Sequence, residues 1–172
     1  MKLRVVELLV ITTVPAVVLA EGGFPSLSLL AWTLLGGTLA AGSANAFNMV
    51  IESERDKLMK RTAKRPLVTG AVTRIQATIF AFAIGLLSLV IFYIFTTPLA
   101  TLLTFIAIVF YVVVYTMGLK RRTAQNIVWG GAAGCMPVFI GWAAVTNSIA
   151  RMRAKLLTTL RSFLAADQPI ET

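Results

Sequence analysis

Apolar residues in this chain come in long unbroken runs rather than at the two-residue period of a strand or the narrow stripe of a soluble helix. Five runs approach the roughly 20 residues that a helix needs to cross a bilayer: Val5–Ala20, Phe24–Ile51, Ile75–Phe95, Pro98–Leu119 and Ile127–Val145. The pattern predicts an all-α, multi-pass transmembrane bundle of about five spanning helices. The first run is the weakest, with Glu7 near its start and Pro15 inside. Behind Met1-Lys2-Leu3-Arg4 it also fits a cleavable signal peptide. Beyond residue 148 the pattern changes. Ile149, Met152, Leu156, Leu157, Leu160, Phe163 and Leu164 fall on one helical stripe with Arg151 and Lys155 opposite and Arg153 intruding on it. That arrangement predicts an amphipathic helix lying in the membrane interface. A truncated or frameshifted end of incidental composition is the alternative. The chain therefore divides into a transmembrane domain, 1–148, and a basic amphipathic tail, 149–172.

Polar residues between the runs set the orientation. Lys2 and Arg4, the Arg55–Arg74 connection with its seven basic residues, and Lys120-Arg121-Arg122 all fall on one side of an alternating path. The connections Glu21-Gly22-Gly23 and Thr96-Thr97-Pro98 carry no Lys or Arg. The positive-inside rule makes the basic side cytoplasmic. Arg151, Arg153, Lys155 and Arg161 then fall on the far side, against the rule. Gly130 and Gly134, spaced by four, together with Gly37 and Ala41, are expected at close helix contacts, because membrane helices associate through small residues.

Composition narrows the function. Of 172 residues 58% are hydrophobic and only 13% charged, more apolar surface than a soluble core of this size hides. The net charge of +9 sits in clusters between apolar runs, which suits lipid headgroups or substrate phosphates and not nucleic acid. The absence of histidine removes the commonest general base and metal ligand, so any metal chemistry rests on oxygen ligands. Cys135 stands alone in an apolar segment and reads as a packing residue.

Chemistry concentrates where the second run meets the basic connection. On a continuing helix Asn45, Asn48, Glu52 and Asp56 are separated by three, four and four residues and project from one face. Two carboxylates and an amide suit magnesium, which accepts a few protein oxygens and completes its shell with substrate phosphates. Lys57, Lys60, Arg61, Lys64 and Arg65 follow at once and could neutralise a diphosphate. The structural alternative is asparagines bonded to neighbouring helices, Asp56 paired with Lys60 at i+4, and basic residues that only obey topology. Polar groups inside an apolar segment favour a functional site.

The same residues carry a resemblance. Asn48, Glu52 and Asp56, followed by Met59-Lys60-Arg61-Thr62-Ala63-Lys64-Arg65-Pro66-Leu67, are similar to the Asn-x-x-x-Asp-x-x-x-Asp and Met-x-Arg-Thr-x-x-Arg-Pro-Leu pattern of the intramembrane aromatic prenyltransferases. The string Gln125-Asn126-Ile127-Val128-Trp129-Gly130-Gly131-Ala132-Ala133-Gly134-Cys135-Met136-Pro137 resembles the protoheme IX farnesyltransferase branch. The likeness runs from Arg4 to about Ser148, the amino-terminal half of such enzymes. It implies farnesyl transfer from farnesyl diphosphate to protohaem IX to give haem O, with magnesium as cofactor and a multi-pass place in the plasma membrane. It implies roles for Asn48, Glu52 and Asp56 in metal binding and catalysis, and for Asn45, Arg61, Arg65, Lys120 and Arg121 in substrate binding. Two departures stand out: Glu52 occupies a position where relatives usually carry aspartate, and the family's second aspartate-rich motif and histidine-bearing segment are not in this chain. The resemblance therefore leaves open a non-catalytic or split-subunit protein that binds isoprenoid diphosphate, with a complementary half-domain chain as partner. The aspartate-glycine-alanine-arginine signature of phosphatidyltransferases is absent.

Overall fold

The computed structural model describes residues 3–59, 62, 65–119 and 126–166. Among these residues six helices follow one another: α1 (Leu3–Glu21), α2 (Leu27–Asp56), α3 (Arg74–Phe95), α4 (Pro98–Val109, continuing as a π-helix over Phe110–Leu119), α5 (Asn126–Thr146) and α6 (Ile149–Ala166). No strand occurs among the described residues, and the chain is the all-α bundle expected. Among the described residues four helices are long and apolar enough to cross a membrane: Leu27–Asp56, Arg74–Phe95, Pro98–Gly118 and Val128–Thr146. The first expected span, Val5–Ala20, forms α1 but is not among those four. It contains Pro15 and packs on α5 and α2, with Val17 fully buried.

Helices α2, α3 and α4 start where the sequence supplies a cap. Ser26 accepts from the Leu29 amide ahead of α2. Thr73 and Gln76 form a reciprocal capping box ahead of α3. Thr97 caps α4 with Pro98 in its first turn, where a missing N–H costs nothing. The same Thr97 hydroxyl donates to the Ala143 carbonyl at 2.7 Å, and the Leu99 amide donates to Asn147 Oδ1 at 3.3 Å. These bonds bring the start of α4 and the end of α5 to one membrane face.

Helices α2 and α3 form the most extensive pair. Ser43 Oγ donates to the Ala81 carbonyl at 2.8 Å, and Ser88 Oγ donates to the Gly36 carbonyl at 2.7 Å, both bonds buried. Close approach depends on Gly36 and Gly85. A Cβ at Gly36 would lie 2.8 Å from the Phe92 ring, and one at Gly85 would lie 2.6 Å from Ser43 Oγ. Apolar burial alone does not drive association in lipid, so tight contact and interhelical hydrogen bonds do. Around Phe92 a small core of Ala100, Ile140, Ala143 and Ala144 joins α3, α4 and α5.

The expected glycine contacts are corrected in part. Gly37 meets Leu9 and Gly130 meets Tyr115 at 3.2–3.3 Å, but nothing lies within 4 Å of a Cβ at Gly134. Gly134 faces a cavity instead. Spacing by four puts Gly130 and Gly134 on neighbouring turns of one face; both line the cavity, and only the first also meets a neighbouring side chain. The close α5 contact is Gly141, 3.0 Å from the Thr13 side chain of α1.

Candidate functional site

Because α2 runs unbroken to Asp56, Asn45, Asn48, Glu52 and Asp56 occupy successive turns of one face, as their spacing predicts. Asn45 lines the cavity. Asn48 is 8% exposed and its Oδ1 is buried without a hydrogen-bond partner. A buried amide oxygen in that condition costs about 1–3 kcal/mol, so a ligand that satisfies it gains correspondingly. Glu52 is half-buried and within electrostatic reach of Tyr111 on the π-helical part of α4.

Asp56, 5% exposed, ends the ladder and is held from two sides. Arg65 Nη1 forms an ion pair with Asp56 Oδ2. The Thr62 hydroxyl donates to the Asp56 carbonyl at 2.7 Å, and the Arg65 amide donates to the Thr62 carbonyl at 3.0 Å. The connection after α2 therefore folds back onto the end of its own helix, and Arg65 arrives beside the carboxylate. Arg61, Lys120 and Arg121, the other basic residues expected here, lie outside the described residues, as does Lys60.

The opposite side of the same helix end is tied to α3. Arg74 donates from Nε to Ser53 Oγ at 3.0 Å and from Nη2 to the Val50 carbonyl at 3.4 Å. Lys57 and Arg74 both reach the Glu54 carboxylate, at 3.0 and 3.9 Å. Glu54 is exposed and belongs to this outer cluster, away from the ladder face. Sequence reasoning missed Arg74 as an anchor. Its signal was position: a basic residue at the start of an apolar helix whose antiparallel neighbour ends in carboxylates.

Below the ladder lies a cavity of about 260 Å³ walled by α1, α2, α4 and α5, with Phe92 of α3 closing one side. Leu9, Thr33, Tyr111, Met136 and Ile140 line it, and Asn45 marks its polar side. Tyr111 continues the Thr104, Ala107 and Ile108 face of α4 at helical spacing, at the point where the π-helix of residues 110–119 begins. The Thr116 hydroxyl, donating to the Tyr111 carbonyl five residues back at 2.8 Å, follows that wider winding.

An apolar chamber under a polar ladder suits an amphipathic ligand with a long hydrocarbon part and an anionic head. The unpartnered Asn48 oxygen and the adjoining Glu52 carboxylate fit a hard cation with oxygen preference. Asp56 fits as a third donor that already shares its charge with Arg65. Among the described residues, no group of three or more His, Cys, Asp and Glu side chains forms a metal cluster, so part of such a cation's shell falls to amide or ligand oxygens.

The UbiA prenyltransferase family matches residues 9–166. This chain belongs to the UbiA prenyltransferase family. Its curated relatives include protoheme IX farnesyltransferases of Renibacterium salmoninarum and Clavibacter michiganensis, each 58% identical over 148 residues, 86% of this chain. The protoheme IX farnesyltransferase of Streptomyces coelicolor is 54% identical over the same length. The match takes in 46%, 48% and 47% of those proteins, so the chain spans about half the length of the curated relatives it matches. Among solved structures, the apo structure of a UbiA homolog from Aeropyrum pernix K1 has the same fold, with a TM-score of 0.70 at 22% identity over 90% of this chain and 56% of that one. A multi-pass membrane fold of this family accounts for the apolar side chains left exposed on α3, among them Ile79, Phe82, Leu86 and Tyr93, which face lipid.

Proposed function

We propose that this chain binds farnesyl diphosphate and contributes to its transfer onto protohaem IX, giving haem O, in the plasma membrane. The observation that carries the reading is the buried, unpartnered Asn48 oxygen in a polar ladder directly above an apolar cavity. The names of its close relatives support the choice of substrates. In this reading the isoprenoid chain occupies the cavity, and Asn45 orients the first carbons below the head. Asn48, Glu52 and Asp56 hold magnesium, which neutralises negative charge on the diphosphate when bound. Arg65 adds positive charge at the same end, and Arg61, Lys120 and Arg121 are proposed from the family resemblance as further groups that bind the diphosphate. The bond between prenyl C1 and a diphosphate oxygen breaks, its electron pair departing with pyrophosphate; C1 then bonds to the terminal carbon of the protohaem vinyl group, and the cation left on the acceptor takes up water and releases a proton. Positive charge facing the leaving group favours that departure, and an apolar cavity keeps water from the allylic cation.

A second reading is binding without transfer, or catalysis only beside a complementary chain. Farnesyl diphosphate binding, measured with and without magnesium in the parent, Asp56→Ala and Glu52→Asp, tests the site common to both readings. Loss of one charge-assisted contact costs about 1.5–3 kcal/mol, at least about tenfold in affinity. Asp56→Ala is expected to lose metal-dependent binding and Glu52→Asp to retain it. Equal binding by the parent without metal, or parent-like binding by Asp56→Ala, would reduce the ladder to a solvated helix end. Haem O formation by the purified chain separates the first reading from the second.

A further inference from the structure

Helix α6 has no part in the site, and its chemistry is unlike that of the other five helices. Between Ile149 and Ala166 it has four basic residues and no Asp or Glu. Arg151, Arg153, Lys155 and Arg161 are all exposed. So are large apolar side chains on the same helix: Ile149, Leu156 at 56% and Leu157 at 46%.

The position of α6 is well defined. Asn147, in the left-handed region at φ 49°, turns the chain sharply between α5 and α6. Lys155 Nζ then donates to the Leu19 carbonyl in the last turn of α1 and lies 5.8 Å from the centre of the buried Trp142 ring of α5. Lys155 thus satisfies a carbonyl left open at a helix end. The contact holds α6 beside the ends of α1 and α5, at the face where α4 begins at Thr97 and Asn147. That is one boundary of the membrane. Further exposed apolar side chains sit at this end: Leu19 on α1, Phe24 in the α1–α2 connection at 99%, and Leu27 at the start of α2. Exposed Glu21 is the acidic group nearest in the chain to these, outnumbered by the cations of α6.

We propose that α6 is an interfacial helix that docks on anionic phospholipid headgroups, Ile149, Leu156 and Leu157 entering the acyl boundary and Arg151, Arg153 and Arg161 meeting lipid phosphates. Two physical facts select lipid as the occupant. Cationic side chains beside an apolar stripe, with Arg153 reaching out of it along its aliphatic stem, match a surface that is anionic outside and hydrocarbon inside. The end of α1 that Lys155 touches also exposes apolar side chains, with Leu19 in its last turn and Phe24 and Leu27 just beyond. A lipid-bound α6 would hold α1 against α5 through Lys155, and α1 is a wall of the cavity. The proposal stands independently of the prenyl diphosphate reading.

The test uses the full chain with Cys135→Ser, a single cysteine at Leu157 and an environment-sensitive fluorophore on it, in phosphatidylcholine vesicles with and without phosphatidylglycerol. Expected are blue-shifted emission, quenching by acyl-chain bromine, and a larger inserted fraction with phosphatidylglycerol. Arg151→Gln/Arg153→Gln is expected to remove that increase, at roughly fivefold in the inserted-to-free ratio per cation. Raised ionic strength is expected to do the same to the chain with both arginines, so a variant that folds poorly does not leave the question open. Quenching by aqueous iodide in both lipids would overturn the proposal. So would insertion indifferent to phosphatidylglycerol and salt, or energy transfer between labels on separate copies, which would point to a protein partner.

Discussion

Asn48 is the residue at which stability and binding pull apart. Its Oδ1 is desolvated and unsatisfied, so the ligand-free protein bears a cost that an apolar side chain of similar size would relieve. Asn48→Leu is therefore expected to raise the ligand-free stability by about 1 kcal/mol while abolishing magnesium-dependent farnesyl diphosphate binding. Thermal unfolding in detergent checks the first effect and a binding isotherm the second. A loss of stability without ligand would mean that the amide serves the bundle and not a ligand. Spacing alone placed the four ladder residues on one face, since helical geometry is local. Which cation meets Asp56 was not legible. The i+4 rule pointed to Lys60, which lies outside the described residues; the chain after α2 folds back and brings Arg65, nine residues away, onto the carboxylate.

At the scale of the helices, small residues decide how near two axes come, but their sequence spacing does not say which pair they serve. Gly36 abuts the fully buried Phe92 ring, whereas Gly134 opens onto the cavity. Gly36→Ala should thus destabilise the bundle by about 1–3 kcal/mol through overpacking. Gly134→Ala should be neutral or stabilise by about 0.5–1 kcal/mol, the gain of alanine over glycine inside a helix. Unfolding of the two variants side by side is the measurement, and a reversed order would refute the packing of α2 on α3. Helix boundaries were readable to within about five residues because the length of an apolar run is a local property, and the caps Ser26, Thr73 and Thr97 fix three of the starts. The π-helical winding of residues 110–119 gave no such signal.

For the molecule as a whole, the basic α2–α3 connection and the uncharged α1–α2 and α3–α4 connections belong on opposite sides of the bilayer. Single cysteines at Leu58 and Gly23, both exposed, in a Cys135→Ser background should label from opposite faces with a membrane-impermeant maleimide. Leu58 is expected to react from the cytoplasm and Gly23 from the far side. Labelling of both from one face would sink the orientation. By itself the sequence determined the all-α class, the polar ladder and its junction with a basic connection, because hydrophobic run length and helical period are properties of neighbouring residues. Only the tertiary structure decided that α1 packs into the bundle on α5, that Arg65 closes on Asp56, that Gly134 and Tyr111 line the cavity, and that Lys155 ties α6 to the end of α1. Each of these joins residues that are distant in the chain or depends on helical register, and the packing of whole helices sets them.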